Sequence, residues 1–137
     1  SNPEEYFNKI KTLKIENEVK VINQFIPNED VEKYYKISDL VILPYRSATQ
    51  SAVLTIAYGF SKPVVATNVG GLAEFVEDKI TGIIVEPNSS SALANGIKKF
   101  FSLKDTIDFK TNVQNYISQN EFEKLPQLFL EILNDSN

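Results

Sequence analysis

Leu40-Val41-Ile42-Leu43, closed by Pro44, is a continuous apolar run with no polar alternation. A strand with one wet face alternates apolar and polar side chains, so an unbroken run suits a parallel strand buried on both faces. Similar short runs recur at Pro63-Val64-Val65-Ala66-Thr67 and at Ile83-Ile84-Val85. Between the first two, residues 51–60 are rich in Ala, Val and Leu and read as a buried helix. After the second, Gly70-Gly71 predicts a turn, 72–77 a short helix and 79–82 another turn. A helix over 91–101 follows the third, with Leu93, Ile97 and Phe100 inward. Short strands alternating with helices predict parallel β-α-β units in a doubly wound α/β domain. Ligands of such sheets bind beyond the carboxyl ends of the strands, which singles out residues 44–51, 67–72 and 86–91.

Outside that frame, residues 4–14 read as a helix with Tyr6, Ile10 and Leu13 on one face. Residues 18–25, containing Val19, Val21 and Ile22, read as a further strand that Pro27 ends. Asn28 is placed to cap a helix carrying Val31, Tyr34, Tyr35 and Ile37. Two more helices are expected over 109–117 and 120–133, with Pro126 kinking the second or marking its first turn. The 137 residues are expected to form a single domain.

Composition narrows the chemistry. With no Cys and no His, thiolate chemistry is excluded and any acid or base must be Asp, Glu, Lys or Tyr. A net charge of −4 without a basic stripe argues against nucleic acid as a partner. No apolar run approaches the roughly 18 residues needed to cross a bilayer, and no signal-peptide pattern opens the chain.

The strongest local candidate is Pro44-Tyr45-Arg46-Ser47-Ala48-Thr49-Gln50-Ser51, which leaves a buried strand and enters a helix. A helix N-terminus offers free N–H groups and about half a positive charge, which suits a phosphate. Small residues let a ligand approach the backbone, and Arg46, the only arginine, is suited to bidentate pairing with a diphosphate. The plainer alternative is that Thr49 or Ser51 merely caps the helix and Arg46 lies on the surface. Gly70-Gly71 is the second candidate, either a simple turn or a place where a ligand approaches closely. Glu74 and Glu77 read as acid/base candidates or as carboxylates answering a helix dipole. Lys98-Lys99 reads as a solvated helix face.

From Val19 to about Phe101 the chain resembles the C-terminal, donor-binding domain of the group 1 glycosyltransferases, family 4 of the GT-B fold. The resemblance is carried in order by residues 31–45, ending Asp39-Leu40-Val41-Ile42-Leu43-Pro44-Tyr45, and by 62–74, including Asn68-Val69-Gly70-Gly71-Leu72-Ala73-Glu74. Residues 81–87, Thr81-Gly82-Ile83-Ile84-Val85-Glu86-Pro87, and the helix opening Ser91-Ala92-Leu93-Ala94 continue it. It implies a Rossmann-like parallel sheet flanked by helices, lacking its first two β-α units. It also implies transfer of a sugar from a nucleotide-diphosphate donor to a glycan, lipid or small-molecule acceptor, with retention and without metal. No cofactor is implied beyond the nucleotide sugar. Arg46, Thr49, Gln50 and Ser51 would lie around the donor diphosphate, and Gly70 and Gly71 near the donor sugar. The family's paired glutamates, near donor sugar and ribose, fall at Ala48 and Ile56, so neither is present and no catalytic side chain is transferred.

The absent β-α units, which in the family supply an arginine and a lysine to the diphosphate, and the absent acceptor domain imply a fragment inactive alone. Bare strand edges are then expected, leading either to direct pairing of the 18–25 and 40–43 strands or to self-association. A cytoplasmic location is expected, peripheral to the membrane in the intact enzyme. Two alternatives stand beside the transferase: a non-catalytic interaction domain of the same ancestry, and a sugar-nucleotide epimerase, whose catalytic carboxylates are not recognisable here.

Overall fold

The computed structural model describes residues 2–49 and 51–120. Two helices open the chain, α1 (Pro3–Leu13) and α2 (Asn28–Ile37). Strand β1 (Val41–Leu43) leads through a loop to α3 (Ala52–Gly59), followed by β2 (Val64–Thr67) and the single turn α4 (Gly70–Ala73). Strand β3 (Gly82–Val85), α5 (Ser90–Leu103) and α6 (Phe109–Gln119) complete the order. The three strands form a parallel sheet in the order β1-β2-β3, with Leu43 opposite Ala66 and Ala66 opposite Ile84. All three carboxyl ends therefore lie along one edge.

Burial on both faces holds for the central strand β2, whereas β1 lies at the edge of the sheet with Ile42 41% exposed, so the 40–43 run is not buried on both faces as expected. Val64, Val65, Ala66 and Thr67 are all buried, and they alternate between two cores as strand geometry requires. Val64 and Ala66 join Leu43, Leu54, Ala57, Tyr58, Leu72 and Val113 on one face, where α3, α4 and α6 pack. Val65 joins Ile83, Val85, Phe100 and Phe109 under α5 on the other. Each such aliphatic side chain, fully buried, contributes about 1.5–3 kcal/mol. The first core contains one polar device. Tyr58 donates its hydroxyl proton to Phe75 O at 2.7 Å, so Thr81 Oγ1, 2.9 Å away, is the donor between the two hydroxyls. Thr81 Oγ1 also accepts from Glu77 N at 3.0 Å, and burial pushes the Tyr58 hydroxyl pKa well above its ordinary value. The network ties α3 to the turn entering β3.

Further expectations need correction. No strand forms over 18–25: Val19, Val21 and Phe25 are 39%, 41% and 66% exposed, and the Val19 amide turns back onto Ile15 O. A strand requires a neighbour's N–H and C=O groups, and among the described residues β1 pairs only with β2, so the direct pairing with 40–43 does not occur. Asn28 is the first residue of α2, with Pro27 at the cap position and no side-chain cap bond. Gly70-Gly71 is not a turn before a 72–77 helix but the start of α4, which ends at Ala73. Helix α5 is capped by Ser89, whose Oγ accepts from Ala92 N at 3.1 Å, so it begins ahead of Ser91. The helix expected over 120–133 lies, beyond Asn120, outside the described residues.

Candidate functional site

The carboxyl end of β1 delivers Pro44 and Tyr45 to the loop that precedes α3. The loop is tied to the next strand over. Thr67, buried at the end of β2, donates from Oγ1 to Tyr45 O at 2.6 Å and lies 3.3 Å from Leu43 O. Further along, Gly71 N donates to Ala48 O at 3.2 Å. The chain then enters α3 through Ser51, whose Oγ accepts from Leu54 N at 3.1 Å and lies 3.4 Å from the Tyr45 hydroxyl. With the Leu54 amide capped and the Thr55 amide bonded to Ser51 O, the first-turn donors left without a partner among the described residues are the amides of Ala52 and Val53. Helix polarity concentrates partial positive charge there.

The two loops singled out from sequence thus meet: residues 44–51 and 67–71 touch at the carboxyl ends of β1 and β2. Arg46 is exposed and makes no hydrogen bond or ion pair among the described residues, so its guanidinium is available to an anion. Thr49 is exposed beside it. Ser51 is the helix cap, which is the plainer of its two readings, although a capping hydroxyl still donates its own proton elsewhere. Gln50 lies outside the described residues. Ala48 is half-buried against α4, and Ile56 is half-buried in an apolar groove of about 300 Å³ with Phe25, Val31 and Tyr35. Gly70 and Gly71 pack on the loop itself. A Cβ on Gly70 would stand 2.0 Å from Ala48 O, and one on Gly71 2.2 Å from Thr49 O.

Thr67 escapes notice in the sequence because a Thr ending an apolar run looks like ordinary strand composition. Only its burial and its reach to the β1 carbonyls give it away. Of the other candidates, Glu74 and Glu77 are exposed, and Lys98 and Lys99 are exposed on α5. At the third carboxyl end, Ser89 Oγ lies 3.1 Å from Ser91 Oγ and both serve the α5 start. A cavity of about 820 Å³ lies elsewhere, at the amino ends of the strands beside Asp39 and Pro63 and under the α5–α6 turn. Its rim mixes Lys36, Lys62 and Lys104 with Asp39, Asp105 and Asp108, so it presents no single sign of charge to an anion. Among the described residues no helix is long and apolar enough to cross a membrane.

Comparison with known proteins agrees with the fold. The sequence model for glycosyl transferases group 1 matches residues 1–123. A lipopolysaccharide 1,2-N-acetylglucosaminetransferase of Salmonella typhimurium is 30% identical over 106 residues, covering 75% of this chain and 28% of that protein. HepE of Anabaena, solved in complex with UDP, superposes with a TM-score of 0.74 at 26% identity, over 96% of this chain and 36% of HepE. The C-terminal domain of a group 1 glycosyl transferase from Francisella tularensis superposes with a TM-score of 0.74 at 20% identity, over 85% of this chain and 60% of that one, which speaks to fold alone. The chain spans about a quarter of the length of the curated relatives it matches.

Proposed function

This chain belongs to the group 1 glycosyl transferases, and from that premise we propose that it forms the nucleotide-sugar-binding part of a glycosyltransferase, contributing the anion site for the donor diphosphate. The reaction would move a sugar from a nucleotide-diphosphate donor to a glycan, lipid or small-molecule acceptor. One observation carries the reading: the amides of Ala52 and Val53, at a capped helix start, adjoin a loop bearing Arg46, and among the described residues neither amide nor the guanidinium has a partner. The UDP-bound HepE, alike across nearly the whole chain, supports a nucleotide diphosphate as the anion.

Leaving-group charge would then be met by helix-terminal N–H groups and a guanidinium aimed where it develops. In this reading Arg46 pairs with the diphosphate, Thr49 and Gln50 line it, and Ser51 shapes the helix start that binds it. No group in the site is assigned proton transfer, since Ala48 and Ile56 occupy the positions of the family's glutamates.

Equilibrium titration with UDP tests the reading. One helix start and one arginine give weak binding, about millimolar, or about −4 kcal/mol. A charge-assisted hydrogen bond is worth about 1.5–3 kcal/mol, so Arg46→Ala is expected to weaken UDP by at least about tenfold. Lys98→Ala, on the outer face of α5, is expected to leave it unchanged. Equal affinity in the Arg46→Ala variant and the unmodified chain would overturn the assignment, and absence of any binding would favour the interaction-domain alternative.

A further inference from the structure

The loop that carries Arg46 is held along its length by one short stretch, residues 67–71, and the contacts run in sequence. Thr67 Oγ1 holds Tyr45 O at 2.6 Å, and Gly71 N holds Ala48 O at 3.2 Å. The space a side chain would fill at Gly70 and Gly71 is already taken by Ala48 O and Thr49 O, 2.0 and 2.2 Å from the respective Cβ positions. The atoms met are backbone, so a methyl group at either glycine fits only if the loop moves. Gly70 also has φ +41°, which disfavours any side chain there. We infer that Thr67, Gly70 and Gly71 are the positioning residues of the anion site: they set the path of residues 45–49 so that Arg46 and the α3 amides share one ligand. The glycines admit the protein's own loop rather than the donor sugar.

For its ligand the inference rests on the diphosphate reading, but for the loop it rests on contacts that exist without ligand, and that separates the two experimentally. Thr67→Val keeps the branched shape and removes the hydroxyl, leaving Tyr45 O without its short bond. Gly71→Ala drives a methyl into Thr49 O. In ligand-free amide spectra, Thr67→Val is expected to shift Tyr45 and Arg46, and Gly71→Ala to shift Ala48 and Thr49, while Val65 and Ile83 stay in place. Both variants are expected to bind UDP weaker by about tenfold or more. If the unmodified chain does not bind UDP, the diphosphate reading falls, and the ligand-free shifts alone decide the positioning role. Ligand-free loop amides that match the unmodified chain in both variants would overturn the inference. UDP binding lost against that background would make the glycines ligand contacts instead. Should Gly71→Ala fail to fold, Thr67→Val alone decides the positioning role, through the Tyr45 and Arg46 amides.

Discussion

Residues 2–37 and residues 40–120 use the same local vocabulary and reach opposite outcomes. Helix α1 has an Asn2 cap, Pro3 at its first turn, Glu4 and Glu5 beside it and Lys11 near its end. Helix α2 has acidic residues at its start and Asp30–Lys33 and Glu32–Lys36 pairs along its side. Neither helix has a buried residue: α2 reaches the first core through the half-buried Tyr35, which stacks on Phe60, while Ile37, its last residue, is 80% exposed. Helices α3, α5 and α6 have comparable caps, at Ser51, Ser89 and Asp108, yet each buries two or three residues against the sheet. Caps, charges and periodicity thus decide where a helix forms, whereas a neighbouring element decides whether its apolar face is covered. The 18–25 segment makes the same point for strands, since β-branched composition without a paired neighbour among the described residues leaves Val19 and Val21 in exposed, irregular chain.

The largest expected effect sets one region directly against the other. Leu72→Ala, at a side chain fully enclosed by the first core, is expected to cost about 2–5 kcal/mol. Leu13→Ala, at a residue 55% exposed on α1, is expected to stay within about 0.5 kcal/mol. Urea unfolding followed by circular dichroism measures both. A Leu13 cost rising with protein concentration would show instead that α1 is covered by a second copy.

Cap removal probes the same contrast at smaller scale. Ser51→Ala removes the acceptor of the Leu54 amide and is expected to cost about 1 kcal/mol in the cooperative transition. Asn2→Ala removes the equivalent acceptor of the Glu4 amide, yet is expected to leave that transition in place. Its effect should show only as faster hydrogen exchange within α1, because local opening need not involve the core. A shift of the global midpoint by Asn2→Ala would show that the two regions unfold together.

The smallest effect concerns pH. The Thr111 amide, and then its hydroxyl, donate to the Asp108 carboxylate at 3.1 and 2.7 Å and hold its pKa below the ordinary aspartate value. A depressed folded pKa means stability fully present above the unfolded value of about 4, lost as pH falls through the lower folded value. Below about pH 4, Tm is therefore expected to fall more steeply in the unmodified chain than in Asp108→Asn. Equal slopes would mean that the cap bonds do not persist in solution.

Much of the packed region is legible in the sequence. Unbroken apolar runs mark β1, β2 and β3, and Ser51 is readable as a cap, because these signals are local; burial on both faces holds for β2 but not for the edge strand β1, whose Ile42 is 41% exposed. Placing the site at 44–51 needs only the rule about carboxyl ends. What stays hidden depends on contacts distant in sequence. Gly70-Gly71 looks the same whether the close neighbour is a ligand or, as here, the backbone of Ala48 and Thr49. Thr67 acquires its role only through carbonyls more than twenty residues earlier. The 18–25 error has the same origin, for pairing is a property of two segments.

Whether the carboxyl ends of β1 and β2 hold a nucleotide diphosphate is tested most directly by an amide map during UDP titration. Arg46, Ala48, Ala52 and Val53 are expected to move, with Gly70 and Gly71 following through the loop. Ser38, Asp39 and Asp105 at the amino-end cavity, and the whole of α1, are expected to stay in place. Shifts confined to Ser38, Asp39 and Asp105, or an unchanged spectrum at millimolar UDP, would contradict the diphosphate site.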